Sequence, residues 1–125
     1  MEIKSRFAHY NFNVSDLEKS LGFYDKALGL KEKRRHKASD GSFILAFLED
    51  GESGFQLELT WLKERETPYD LGDNEVHLCV HVDGDYDEIK KYHADNGWIC
   101  YENTDMNLYF IEDPDGYWIE ILPLD

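Results

Sequence analysis

The strongest constraint on this chain is that it repeats itself. His9-Tyr10-Asn11-Phe12-Asn13-Val14 alternates, with Tyr10, Phe12 and Val14 on one side and His9, Asn11 and Asn13 on the other. His77-Leu78-Cys79-Val80-His81-Val82 does the same, with Leu78, Val80 and Val82 opposite His77, Cys79 and His81. Each segment reads as a strand with one apolar face. After the first, Ser15 to Glu18 offers a capping box, Leu17, Leu21, Tyr24 and Leu28 recur at helical spacing, and Gly29 marks a stop. After the second, Asp85 to Glu88 opens a helix whose stripe is Tyr86, Ile89 and His93, and Gly97 closes it. Gly29 follows His9 by 20 residues, and Gly97 follows His77 by the same 20. Such a repeat decides the architecture first.

Both halves continue as strands. Lys31 to Arg35, Phe43 to Leu48 and Phe55 to Trp61 follow the first helix, with the turn Glu49-Asp50-Gly51-Glu52-Ser53-Gly54 before the last. Trp98 to Tyr101, Leu108 to Glu112 and Tyr117 to Leu122 follow the second, with the turn Asp113-Pro114-Asp115-Gly116. The expected fold is α+β, one domain of two βαβββ modules: module 1 about 1–61, a charged connector about 62–75 holding Pro68 and Gly72, and module 2 about 76–125. A module of about 60 residues leaves a sheet face it cannot bury alone. The two modules are therefore expected to pair into a curved mixed sheet, within one chain or across a dimer.

Composition narrows the function. With 125 residues there is room for one domain of about the usual 100–200. Lys plus Arg number 13 against 27 Asp plus Glu, a net charge of −14 that repels nucleic acid and anionic lipid. The longest apolar run, Phe43 to Leu48, is far below the roughly 18 residues of a membrane span. Met1 to Arg6 has no apolar stretch of a secretory signal, and Cys79 and Cys100 form neither a disulfide framework nor a CxxC motif. No nucleic acid and no membrane are expected as partners, and the expected location is the cytoplasm.

The repeat sets polar residues at matching points. His9 and His77 begin the two modules, Glu58 lies among Gln56, Glu58 and Thr60 on one face of its strand, and Glu120 lies between Ile119 and Ile121. Two imidazoles and two carboxylates on one sheet face would make an N2O2 set, and covered carboxylates are costly unless a cation answers them. Nitrogen with hard oxygen suits Ni(II), Co(II) or Zn(II). Any one of these four taken alone is more often a packed or exposed side chain than a ligand; their coincidence in the repeat is what raises them.

The remaining histidines have plainer readings. His81, about 13 Å along the strand from His77 at roughly 3.3 Å per residue, is structural; His93 falls on the core stripe of its helix. His36 belongs to Lys33-Arg34-Arg35-His36-Lys37, a basic run read first as an edge-strand guard and second as a grip for an anionic substrate. Cys79 reads as packing, and Trp118 shares the Glu120 face as a pocket wall.

Phe23-Tyr24 through Leu28-Gly29-Leu30, Leu57-Glu58-Leu59-Thr60-Trp61, Tyr69-Asp70-Leu71-Gly72 and above all Asp113-Pro114-Asp115-Gly116-Tyr117-Trp118-Ile119-Glu120 resemble the glyoxalase I (lactoylglutathione lyase) family of the vicinal oxygen chelate superfamily. The resemblance spans nearly the whole chain. It implies that His9, Glu58, His77 and Glu120 are the metal ligands, with nickel favoured and zinc or cobalt as alternatives. It implies isomerisation of a methylglyoxal–thiol hemithioacetal to an S-lactoyl thioester through an enediolate, with Glu120 as the first choice of base and Glu58 as its partner. A homodimer is implied as well. Asn13 stands where the family commonly has Arg, and Leu62 where it commonly has Asn, so the thiol is not fixed by the resemblance. An epimerase or antibiotic-modifying thiol transferase of the same superfamily, and a non-catalytic binding protein on the same fold, are the alternatives.

Overall fold

The computed structural model describes residues 1–124, which form two compact units, one of residues 1–69 and one from residue 70 onward. In the first, β1 (His9–Asn13), α1 (Leu17–Leu28), β2 (Lys31–Lys37), β3 (Phe43–Glu49) and β4 (Gln56–Leu62) follow in order. The strands form one sheet in the order β1-β4-β3-β2, with β1 parallel to β4 and the other pairs antiparallel. In the second, β5 (Leu78–Val82), α2 (Tyr86–Asp95), β6 (Ile99–Asn103), β7 (Leu108–Glu112) and β8 (Trp118–Pro123) repeat the plan as β5-β8-β7-β6. The α+β class and the doubled βαβββ order are as expected from the repeat. His77 stands one residue ahead of β5 rather than within it.

Each sheet buries one face under its own helix. In unit 1, Phe12, Ala46, Leu48, Leu57 and Leu59 are buried, as are Leu17, Ser20, Phe23, Tyr24 and Ala27 of α1. That stripe is not the expected one: Leu21 and Leu28 are only half-buried, and the small Ser20 and Ala27 take the buried positions. Small side chains there let the helix approach the sheet closely, and close packing is what an interior rewards. The helix cap also shifts by one, because the Asp16 carboxylate accepts from the Lys19 amide at 3.1 Å, making Asp16 rather than Ser15 the N-cap. At the other end Gly29 adopts φ 66°, ψ 20° and its amide donates to the Asp25 carbonyl. An L side chain in that left-handed region costs about 1–2 kcal/mol. Gly29→Ala is accordingly expected to lower the urea midpoint by about that much stability, with no change in slope.

Unit 2 is built around Tyr109, Ile111, Ile119 and Ile121, all fully buried. His93, on α2, is fully buried too, with Nδ1 2.8 Å from the Tyr109 hydroxyl, which places it in the core and away from ligand duty. Tyr86 of the same helix donates to the Ile121 carbonyl at 2.7 Å, tying α2 to β8.

The register carries the consequence for function. In β2 the pairs Lys31↔Glu49 and Glu32↔Leu48 are followed by Arg34↔Phe47 and Arg35↔Ala46, so Lys33 is an extra residue in a β-bulge. In β6 the pair Ile99↔Ile111 is followed by Tyr101↔Phe110, so Cys100 is the matching bulge. From its bulge, the Cys100 thiol donates to the Phe110 carbonyl at 3.6 Å. Beyond each bulge the side chains swap faces.

Candidate functional site

Opposite its helix, each sheet has a row of four paired residues. In unit 1 the row runs Arg34, Phe47, Glu58, Asn11; in unit 2 it runs Tyr101, Phe110, Glu120, Cys79. Paired residues point to the same side of a sheet, so each glutamate shares its face with a phenylalanine on one side and a residue of the first strand on the other. The histidine comes from two positions earlier. His9 Nε2 lies 3.7 Å from Glu58 Oε1, and His77 Nε2 lies 3.3 Å from Glu120 Oε1.

The rings rest on the matching phenylalanines. His9 meets Phe47 edge-on with centroids 5.8 Å apart, and His77 meets Phe110 edge-on at 5.0 Å. Such edge-to-face contact fixes the plane of an imidazole without using its nitrogens. At His77, Nδ1 is 3.3 Å from the Glu75 carbonyl oxygen, which can only accept. That contact turns Nδ1 toward the backbone and leaves Nε2 as the ring nitrogen facing Glu120.

The glutamate side chains are mostly covered, 14% exposed for Glu58 and 18% for Glu120, while the imidazoles are 43% and 38% exposed. Neither carboxylate is paired with a Lys or Arg among the described residues. A covered carboxylate with an imidazole nitrogen at 3.3–3.7 Å and no Lys or Arg partner among the described residues is a donor set that fits a divalent metal. Each unit supplies two donors. Among the described residues no three His, Cys, Asp or Glu side chains form one metal-ligand group.

The glutamates differ in their fourth-strand neighbours. With its nitrogen turned toward Glu58, the Asn11 amide donates to Glu58 Oε1 at 2.9 Å. Glu120 instead has the Cys79 thiol beside it. Although Cys79 is exposed as a residue, its sulfur is crowded, and this loss of solvent together with the charge and hydrogen bond of Glu120 pushes the thiol up to about 11. Cys79 is thus a neutral S–H at neutral pH, not a thiolate. In metal-free Cys100→Ser protein, alkylation of Cys79 by iodoacetamide is expected to accelerate only as pH approaches about 11, whereas an ordinary thiol does so near about 8.5. Glu120→Gln removes the repelling charge and is expected to move that midpoint down.

Other candidates divide cleanly. His81 shares the Glu120 face one position along, paired with Leu122, and is exposed. Trp118 does wall the face, stacked on Tyr101 with centroids 6.0 Å apart and planes at 19°, and 5.4 Å from Phe110. His36 packs against Phe43 on an edge strand whose seven residues are all exposed. Phe47, Phe110 and Tyr101 were missed from sequence. Alternation alone gave no reason to prefer them, and the bulges that aim β2 and β6 leave no mark in composition.

Residues 6–121 match the Glyoxalase/Bleomycin resistance protein/Dioxygenase superfamily. The chain belongs to this glyoxalase family. Among curated members, the lactoylglutathione lyase of Neisseria meningitidis is 39% identical over 126 aligned positions, covering 94% of this chain and 89% of that protein. The lactoylglutathione lyase of Haemophilus influenzae is 33% identical over 123 positions, covering 91% and 89%. Among solved structures, the trypanothione-dependent glyoxalase I of Leishmania major superposes with a TM-score of 0.85 at 32% identity, covering 96% of this chain and 87% of that one. The glyoxalase resemblance expected from the Asp113 to Glu120 motif is borne out. No helix among the described residues of this glyoxalase-family chain is long and apolar enough to cross a membrane.

Proposed function

We propose that the chain is a metal-dependent glyoxalase I, a lactoylglutathione lyase that isomerises the hemithioacetal of methylglyoxal and a thiol to the S-lactoyl thioester. The observation that carries this reading is the duplicated His–Glu pair, seated on equivalent phenylalanines at 3.7 and 3.3 Å in two units of one topology. His9, Glu58, His77 and Glu120 would hold one divalent cation, nickel in preference to zinc or cobalt. When bound, the cation supplies Lewis-acid stabilisation of negative charge developing on substrate oxygens.

The proton work falls to the chain. Isomerisation moves a carbon-bound hydrogen to the adjacent carbon through an enediolate, and a carboxylate within reach of both carbons can take it and return it. Glu120 is the better candidate. An amide N–H is a stronger donor than a thiol, so Asn11 restrains Glu58 while Cys79 holds Glu120 more loosely. Glu58 then serves on the other face of the substrate. The assembly in this reading is a homodimer, and its setting is the cytoplasm, where Cys79 and Cys100 stay reduced.

Nickel titration of the metal-stripped protein tests the ligand set. Saturation at one ion per chain is expected, with His9→Ala and His77→Ala each weakening binding and lowering turnover together. Retention of native nickel affinity in both variants would sink the assignment.

A further inference from the structure

We infer that Arg34 is the residue that grips a carboxylate of the thiol substrate, and that its neighbour Arg35 has no part in this. The two adjacent arginines of the basic run alternate across the strand, and the Lys33 bulge just before them decides which face each one takes. Without the extra residue, position 34 would pair with Ala46 and face α1; with it, Arg34 pairs with Phe47 and joins the row of Glu58. Arg35 is turned the other way, where its guanidinium donates to Glu32 at 2.6 and 3.0 Å and to Glu18 of α1 at 3.2 Å. Those contacts use its fork and neutralise it, and they hold its pKa above the ordinary arginine value, chiefly through Glu32.

Among the described residues Arg34 has no such partner. Its guanidinium carbon lies 3.7 Å from the centre of the Phe47 ring, and its one hydrogen bond is a long 3.5 Å contact to the Gln56 side-chain oxygen. Gln56 in turn donates to Glu49 at 2.7 Å, so the nearby carboxylate is already answered by an amide. Lys31, at the start of the same strand, is bonded to Asp25. Arg34 is therefore a cation seated over an aromatic floor, pre-positioned by the ring and with most of its five donors unspent. The same ring carries His9 at 5.8 Å, so the guanidinium stands no farther from the His9 imidazole than the two distances together, about 9.5 Å. A reach within that limit suits an acidic group several bonds from the sulfur of a small peptide-like thiol.

The duplicated position supports a role in recognition over one in folding. Tyr101 occupies the Arg34 place in unit 2, also delivered by a bulge, and stacks on Trp118. The row of unit 2 thus carries an aromatic side chain where the row of unit 1 carries a cation. A planar guanidinium forms bidentate hydrogen bonds to a carboxylate, which is the chemistry this placement makes available.

The inference rests on the reading above for the substrate being a thiol adduct, and a binding measurement separates the two. With nickel-loaded protein, calorimetry with S-methylglutathione is expected to give about 10–100-fold weaker binding to Arg34→Gln than to the native chain. The diethyl ester of the same compound, lacking free carboxylates, should bind both proteins alike, and Arg35→Gln should match native with either probe. In turnover, Arg34→Gln should raise KM and leave kcat unchanged. Equal losses for diacid and diester, equal losses in Arg34→Gln and Arg35→Gln, or a native chain that does not prefer the diacid would each overturn the inference. A native chain that binds the diacid through Arg34 yet fails to isomerise the hemithioacetal would remove the proposed function and leave this inference standing.

Discussion

Glu120→Gln is expected to lower kcat about 10²–10⁴-fold, the usual contribution of a positioned general base, and Glu58→Gln is expected to lower it less. Glutamine keeps the shape of the side chain and one oxygen but cannot accept the proton, so the substitution separates holding a cation from moving a hydrogen. The inequality comes from the neighbours. Asn11 donates to Glu58 at 2.9 Å, whereas Glu120 faces a neutral Cys79 thiol. A carboxylate fixed by an amide is the better anchor, and one beside a weak S–H donor is freer to swing toward substrate. Steady-state rates of both variants, with nickel content measured on the same samples, check this. Equal kcat values for the two variants at full metal content would contradict the assignment of roles.

Asp113→Ala is expected to destabilise the protein by about 2–4 kcal/mol, because one buried carboxylate organises the whole turn before β8 and its loss leaves covered amides unpaired. Asp113 is only 4% exposed, and its Oδ1 accepts from the amides of Asp115 and Tyr117, both at 2.9 Å. Backbone bonds from Asp113 to the Tyr117 carbonyl and from Gly116 to the Asp113 carbonyl close the same turn. Gly116, at φ 95°, takes a conformation few other residues accept. The turn sets where β8 begins, and Glu120 is its third residue. Asp113→Asn retains an accepting oxygen and is expected to recover about half of the loss. Urea midpoints of the two variants, read against native protein, measure it. Equal loss in Asn and Ala variants would mean that charge, not the two amide bonds, dominates at this position.

Much of the fold was legible because it is written twice. Period-two alternation from His9 and from His77, with a glycine stop 20 residues on in each case, fixed two modules of like order. The His and Glu positions followed, because alternation places Glu58 opposite Leu57 and Leu59, and Glu120 opposite Ile119 and Ile121, which are the buried residues of their strands. What alternation cannot carry is a bulge. Lys33 and Cys100 each add one residue to a strand, and everything beyond them changes face, so it is Arg34 and not Arg35 that joins the face of Glu58. The helix stripe shifted for a different reason: hydropathy favoured Leu21 and Leu28, while packing favoured the small Ser20 and Ala27 against the sheet. Asp16 displaced Ser15 as the cap because both residue types suit that role and only the backbone conformation decides between them.

Thioester formation from a preformed methylglyoxal–glutathione hemithioacetal, followed with metal-stripped protein before and after nickel is added back, tests the central claim most directly. No turnover is expected without metal, full turnover is expected with nickel, and that recovery is expected to be lost in His9→Ala and His77→Ala. Nickel bound at one ion per chain with no thioester formed, or equal turnover with and without metal, would contradict it.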